Sequence, residues 1–305
     1  MAAAAKLASA GQRVAVFDEQ RRPGGQLLRQ PPSSFVARDW LPGRIYAEHK
    51  DRLQRIEGRA DIDWRLGTSV WGLFRADDRD GFDVHFTDGD KSRRLSARRV
   101  LIAAGCYEMP VPLPGWTLPG VMTAGAMQTL LKSQGLIAGN RIVLSGSHPL
   151  QLVLADQLLT AGARIEKICF AQPWHRALRG LRSPGVLLSK PGPWLEVVRI
   201  LLRLVRAGIP IQFSSCVRRV VGSERVQGVE IAPVRQGLVQ ADETEFIGCD
   251  AVALCFGFLP SSELARQAGA RALACEGGGW RVESDGEGRS SQPDLYVAGE
   301  TTGVK

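Results

Sequence analysis

The chain has 305 residues and a mass of 33.1 kDa, with 44% hydrophobic and 23% charged residues, which is a globular composition with room for about two domains. Its formal charge is +8, yet acids are interspersed throughout, and the densest basic group (Arg93, Arg94, Arg98, Arg99) stands on a strand approaching a turn without any nucleic-acid motif. A solvated basic face is therefore expected and nucleic acid is not expected as a partner. The most apolar helical stretch, 195–205, is broken by Glu196, Arg199 and Arg203 well short of the roughly 18 to 20 residues a membrane span needs, so no span is expected and a soluble, cytoplasmic protein is.

Residues 2–10 are good helix formers closed by Gly11, and 13–18 read as a buried strand with Val14 and Val16 on one face and Asp18 at its end. Helix, glycine, strand and acid form the back half of a β-α-β unit. A turn-rich segment follows with Pro23, Gly24, Gly25, Pro31 and Pro32, then a helical period over 44–56 through Ile45, Leu53 and Ile56. Short strands at 62–64, 69–74, 82–86 and 100–103 read as a meander returning to the main sheet. A connector over 105–120, with Pro110, Pro112, Pro114 and Pro119, ends the first unit before a helix at 123–134.

A strand at 141–144, a helix at 149–160 and a strand at 164–170 open a second β-α-β unit. A helix at 195–207, strands near Ile209, Val217 and Val226, and a strand at 251–256 complete it; 295–303 reads as strand and turn. The expected fold class is α/β with two Rossmann-like dinucleotide-binding domains, the second inserted in the first and the first lacking its opening strand. The expected division is 1–118, 119–250 and 251–305.

The chemistry concentrates in turns. Dinucleotide folds bind a ribose through an acid at the end of the second strand, the place of Asp18, with Glu19 beside it. Gly24 and Gly25 then permit a close backbone approach to a ligand. Small residues end the strand before the connector, Leu101-Ile102-Ala103-Ala104-Gly105, and a parallel turn, Leu254-Cys255-Phe256-Gly257, recurs where the chain would re-enter the first domain. Finally, Tyr296-Val297-Ala298-Gly299-Glu300 sets a carboxylate just after a strand and a glycine.

In this order the motifs resemble the pyridine nucleotide-disulfide oxidoreductase superfamily of FAD-dependent enzymes over essentially the whole chain. The stretches D-E-Q-R-R-P-G-G-Q (18–26), R-Q-P-P (29–32), P-V-P-L-P-G-W-T-L-P-G-V-M-T-A-G-A (110–126) and F-G-F-L-P-S-S-E-L-A (256–265) are similar to one branch of it. That branch holds the alpha subunits of opine oxidases, cyanide-forming glycine dehydrogenase, and hydroxyproline, proline and sarcosine oxidising complexes. The resemblance implies a bound FAD met by Asp18, Glu19, Gly24, Gly25, Gln26, Ala104, Gly105, Gly299 and Glu300, with no catalytic residue identified. It also implies a hetero-oligomer with a flavin-containing, substrate-oxidising subunit. The family's first glycine-rich turn would precede Met1 and a further flavin-contacting helix would follow Lys305, so the chain reads as truncated at both ends.

The second nucleotide site is irregular: Gly146-Ser147-His148 puts an imidazole where a third-position glycine is usual, and its bulk would crowd a pyrophosphate at the helix N-terminus. NAD(P)H is accordingly not expected as the electron donor. The six cysteines (Cys106, Cys169, Cys216, Cys249, Cys255, Cys275) have neither a C-x-x-C pair nor metal-ligand spacing, so reduced thiols and no metal are expected; Cys106 lacks the nearby partner that a redox disulfide needs. The competing readings are an NAD(P)H-dependent flavin disulfide or ferredoxin-type reductase, which requires a working site at 146–150, and a truncated, cofactor-free scaffold.

Overall fold

The structure, a computed structural model, describes residues 1–35, 44–177 and 191–303. The backbone of the helix expected at 44–56 is among them; the Ile45 side chain lies outside the described ones. The chain divides into two compact units, one formed by Met1–Tyr107 with Phe258–Lys305 and the other by Glu108–Gly257.

The first unit opens with helix α1 (Ala2–Ser9), stopped by the αL glycine Gly11 (φ 73°). Strand β1 (Val14–Asp18) follows, and it pairs in parallel with β2 (Ile62–Leu66), Val14 facing Ile62 and Asp18 facing Leu66. Ala4 and Ala8 of α1 pack with Ile62 and with Ile56 of helix α2 (Arg44–Glu57). Strands β3 (Ser69–Arg75), β4 (Phe82–Asp88) and β5 (Lys91–Ala97) form an antiparallel meander; Phe82, Val84 and Phe86 are buried on one face of β4. Arg93 and Arg94 stand on β5 itself, while Arg98 and Arg99 lie beyond it.

The chain then forms β6 (Val100–Ile102), which pairs in parallel with the late strand Leu295–Val297, Val100 facing Leu295. Among the described residues β1 has β2 as its ladder partner, β6 has Leu295–Val297, and the two pairs form separate sheets. Parallel strands are ordinarily buried on both faces. All five residues of β1 are only half-buried, and with β2 as its one partner among the described residues β1 stands at a sheet edge.

After β7 (Cys106–Glu108), the second unit begins with β8 (Val121–Thr123) and helix α3 (Ala124–Gln134), whose N-terminus is capped by the Thr123 hydroxyl and whose C-terminus ends on the αL residue Gly135. Strand β9 (Arg141–Gly146), helix α4 (Leu150–Thr160) and strand β10 (Arg164–Phe170) complete a β-α-β turn. Helices α5 (Trp174–Ala177) and α6 (Pro191–Arg206) lead to β11 (Ile211–Phe213). The strand expected near Ile209 starts two residues later because the Ile209 amide still donates to the Leu204 carbonyl at the end of α6. An antiparallel layer of β12 (Ser215–Gly222), β13 (Val226–Arg235), β14 (Leu238–Val239) and β15 (Glu245–Gly248) precedes β16 (Ala251–Cys255).

The main sheet of this unit is parallel in the order β11-β10-β9-β16-β8. Its faces are covered by Leu154, Leu158, Ile200 and Leu204 on one side and by Val217, Val220, Val229 and Ile231 on the other. The chain returns through β17 (Phe258–Pro260), helix α7 (Glu263–Gln267), the hairpin of β18 (Ala272–Ala274) and β19 (Trp280–Val282), and β20 (Leu295–Val297). The helix and hairpin between 263 and 282 add to the elements expected from sequence; Ala265, Ala268 and Val282 join Leu73 and Phe82 in the core of the first unit. The α/β fold with two Rossmann-like parts is the one expected.

Candidate cofactor site

The parallel pairing of β6 with β20 delivers two small-residue turns to the same sheet end. Ala298 N–H donates to the Ile102 carbonyl (2.9 Å), so Ala103-Ala104-Gly105 and Ala298-Gly299-Glu300 leave the sheet side by side. The Gly105 carbonyl accepts from Ser261 N–H (3.0 Å) and from the Thr301 hydroxyl (3.4 Å), tying the first turn to the α7 loop and to the short 3-10 turn Gly299–Thr302. The Cys106 thiol donates to Glu300 Oε2 at 3.0 Å.

What these bonds support is an open floor. Ile102 and Val297 are buried, yet Ala103, Ala104, Ala298 and Gly299 immediately beyond them are exposed. Gly105 (φ 72°) and Gly299 (φ 75°) adopt left-handed conformations, and a Cβ on either would meet nothing within 4 Å. Their glycines therefore open the surface rather than relieve an internal clash. A floor without side chains, beside one carboxylate, fits the close approach of an extended polyhydroxylated ligand.

The residues after β1 form a second group. Asp18 is half-buried; Oδ1 accepts from Gln20 N–H at 2.9 Å, and burial raises its pKa above the ordinary carboxylate value. Glu19 is exposed beside it. Gly24 has a structural reason for being glycine, since a Cβ there would stand 2.3 Å from the Leu28 carbonyl oxygen, whereas Gly25 (φ 59°) faces open space. Gln26 is exposed and accepts from Arg29 at 3.0 Å.

One organiser of this group is invisible to motif reading. Glu57, at the end of α2, accepts from Arg22 Nε (3.1 Å) and Nη2 (3.2 Å) and from Gln30 Nε2 (3.0 Å). Gln30 Nε2 also donates to the Pro23 carbonyl at 2.9 Å, so one carboxylate and one amide fasten the two ends of the 22–30 segment that carries Pro23-Gly24-Gly25.

In the second unit the corresponding helix N-terminus is closed by its own residues. Gly146 admits no side chain, because a Cβ would lie 1.9 Å from the Cys255 carbonyl oxygen on the adjacent strand. The amides of Ser147 (2.8 Å) and His148 (3.0 Å) both donate to that same oxygen, and the Ser147 hydroxyl donates to the Phe256 carbonyl (3.0 Å). The His148 ring turns back so that Nδ1 accepts the Leu150 N–H at 3.2 Å. Anion sites at helix N-termini depend on first-turn N–H groups free to point at a phosphate. Here Ser147, His148, Leu150, Gln151 and Leu152 all donate within the protein. Cys255, at the end of β16, is buried, which with the nearby Glu108 carboxylate pushes its thiol up to about 12.

Among the described residues no cluster of His, Cys, Asp and Glu could hold a metal ion, and no helix is long and apolar enough to cross a membrane.

The sequence matches a family model, pyridine nucleotide-disulphide oxidoreductase, over residues 1–305. It is 34% identical over 315 residues to an opine oxidase subunit of Rhizobium meliloti, covering 100% of this chain and 57% of that protein. It is 31% identical over 309 residues to hydrogen cyanide synthase subunit HcnB of Pseudomonas aeruginosa, covering 100% of this chain and 64% of that protein. The chain thus spans about six-tenths of the length of these relatives. Among solved structures it is similar to T. acidophilum thioredoxin reductase, with a TM-score of 0.66 at 19% identity over 99% of this chain and 86% of the other, a likeness of fold. With its two Rossmann-like parts and its paired glycine turns, the chain belongs to the pyridine nucleotide-disulphide oxidoreductase family, whose cofactor is FAD.

Proposed function

We propose that this chain is the FAD-holding part of an alpha-type subunit in an amine or amino-acid dehydrogenase or oxidase complex, of the opine, glycine, proline or sarcosine type. The observation that carries the reading is the contrast between two turn systems: the floor at Gly105 and Gly299 is open to a ligand, while the backbone N–H groups of Ser147, His148, Leu150, Gln151 and Leu152 at the α4 N-terminus all donate internally. An FAD subunit fed by an amine substrate needs the first and has no use for the second. The two relatives above are named as subunits of an oxidase and of a synthase, which supports assembly with other chains.

Asp18 and Glu19 would hold the adenosine ribose, Gly24, Gly25 and Gln26 would lie along the cofactor, and Ala104, Gly105, Gly299 and Glu300 would carry its ribityl end. Bound FAD would supply the acceptor for a hydride or for electrons. The protein's own part is to bind and orient it, so no acid-base side chain is assigned. The amine would be oxidised on a flavin-containing partner subunit, in the cytoplasm, with this chain relaying electrons.

The test is a dye-reduction assay on the native complex captured through this chain, supplied in turn with opines, glycine, proline and sarcosine. Reduction by one of these amines, absent when this chain is assayed alone, supports the reading. Turnover of the isolated chain with NADPH favours the flavin reductase reading instead.

A further inference from the structure

Cys106 has no cysteine near it in sequence to make it a redox thiol, yet the structure gives it a definite partner. Its Sγ lies 3.0 Å from Glu300 Oε2, across a separation of 194 residues in sequence, at the place where the two small-residue turns leave the sheet. A thiol is a weak donor, but a charged acceptor strengthens the bond. Glu300 is an exposed residue on a 3-10 turn and, without a tether, would sample several rotamers. Its backbone neighbours are already fixed, since Thr301 is buried and bonded to the Gly105 carbonyl. The thiol fixes the remaining freedom, that of the side chain.

We propose that Cys106 is a positioning residue for the flavin: by donating to Oε2 it holds the Glu300 carboxylate over the floor and leaves Oε1 to accept from a cofactor hydroxyl. This rests on the FAD reading above. The sulfur itself takes no part in electron transfer. The same placement brings Cys106 within reach of a ligand on that floor, whereas Cys275, the other half-buried cysteine, lies in the hairpin loop between β18 and β19.

Two measurements on the purified chain test this. In the first, iodoacetamide labelling is mapped by peptide mass with and without excess FAD; FAD is expected to protect Cys106 and leave Cys275 as reactive as before. In the second, FAD dissociation constants are compared for wild type, Cys106→Ser, Cys106→Ala, Glu300→Ala and the Cys106→Ala/Glu300→Ala double variant, each shown by circular dichroism to be folded. Cys106→Ala is expected to weaken binding about tenfold, as for loss of a hydrogen bond to a charged group, and serine to restore it to within about threefold. The double variant should bind no worse than Glu300→Ala alone. Additive losses, or a Cys106→Ala variant that binds like wild type, would overturn the proposal while leaving the FAD reading intact. A wild-type chain that binds no FAD would overturn both.

Discussion

His148 folds back on its own helix: its Nδ1 accepts the Leu150 amide proton at 3.2 Å, two residues along the chain. The imidazole thereby takes a donor that a dinucleotide phosphate would need, and the Cys255 carbonyl takes the amides of Ser147 and His148. NADPH is expected to show no saturable binding by titration calorimetry. Replacing His148 with glycine frees the Leu150 N–H, loses a cap worth about 1 kcal/mol, and should permit weak, millimolar binding. Micromolar NADPH binding by the wild type would refute this account of the second unit.

Gly146 and Gly105 are glycines for different reasons, and alanine should separate them. At Gly146 the new Cβ meets a strand backbone at 1.9 Å, and neither neighbouring strand of the parallel sheet can yield; Gly146→Ala should cost at least about 2 kcal/mol in urea unfolding. At Gly105 the space is open and only the left-handed φ resists, so Gly105→Ala should cost about 1 kcal/mol and act chiefly on flavin affinity. Equal destabilisation by the two would show that the floor around Gly105 is not open.

Glu57 anchors both Arg22 and Gln30 and is itself about a quarter exposed, so its contribution to global stability is expected to stay near 1 kcal/mol. Its larger effect is local. Glu57→Ala should make the 22–31 segment a preferred site of limited proteolysis and weaken FAD binding, while the midpoint of thermal unfolding falls by only a few degrees. An unchanged cleavage pattern would mean that the turn holds its shape without this carboxylate.

The sequence made some of this legible, and physical reasons separate what it did from what it did not. Strands such as Arg141–Gly146 and Ala251–Cys255 announce themselves because a buried parallel strand is a continuous apolar run bounded by glycine or polar turns. The hairpin of Ala272–Ala274 and Trp280–Val282 does not, since its strands are three residues long and leave Leu273 and Trp280 exposed. At the candidate site the glycines stand out as motifs, but their partners are distant: Glu57 lies 35 residues from Arg22, and Glu300 lies 194 from Cys106. The bulk of His148 could be read directly, whereas the direction of its ring depends on the helix it caps.

Lys132 gives a pH signature that belongs to the second unit alone. It is buried on α3, donates to Gln128 Oε1 at 2.7 Å, and desolvation lowers its pKa from 10.5 to about 8. Between pH 8 and 10.5 the unfolded chain holds this proton and the folded chain does not, so this residue makes the protein more stable as pH rises through that window; below it the full penalty applies, of order 3 kcal/mol. Lys132→Met should flatten the stability curve between those limits, as measured by urea unfolding at a series of pH values. An unaltered slope would mean that the amine is solvated in the folded state.

The central claim, a flavin site in the first unit and a closed nucleotide site in the second, is tested most directly by the visible absorption spectrum of the purified chain after incubation with excess FAD and removal of free flavin. The account predicts a retained flavin band that dithionite bleaches and NADPH does not. Bleaching by NADPH, or the absence of any retained band, would contradict it.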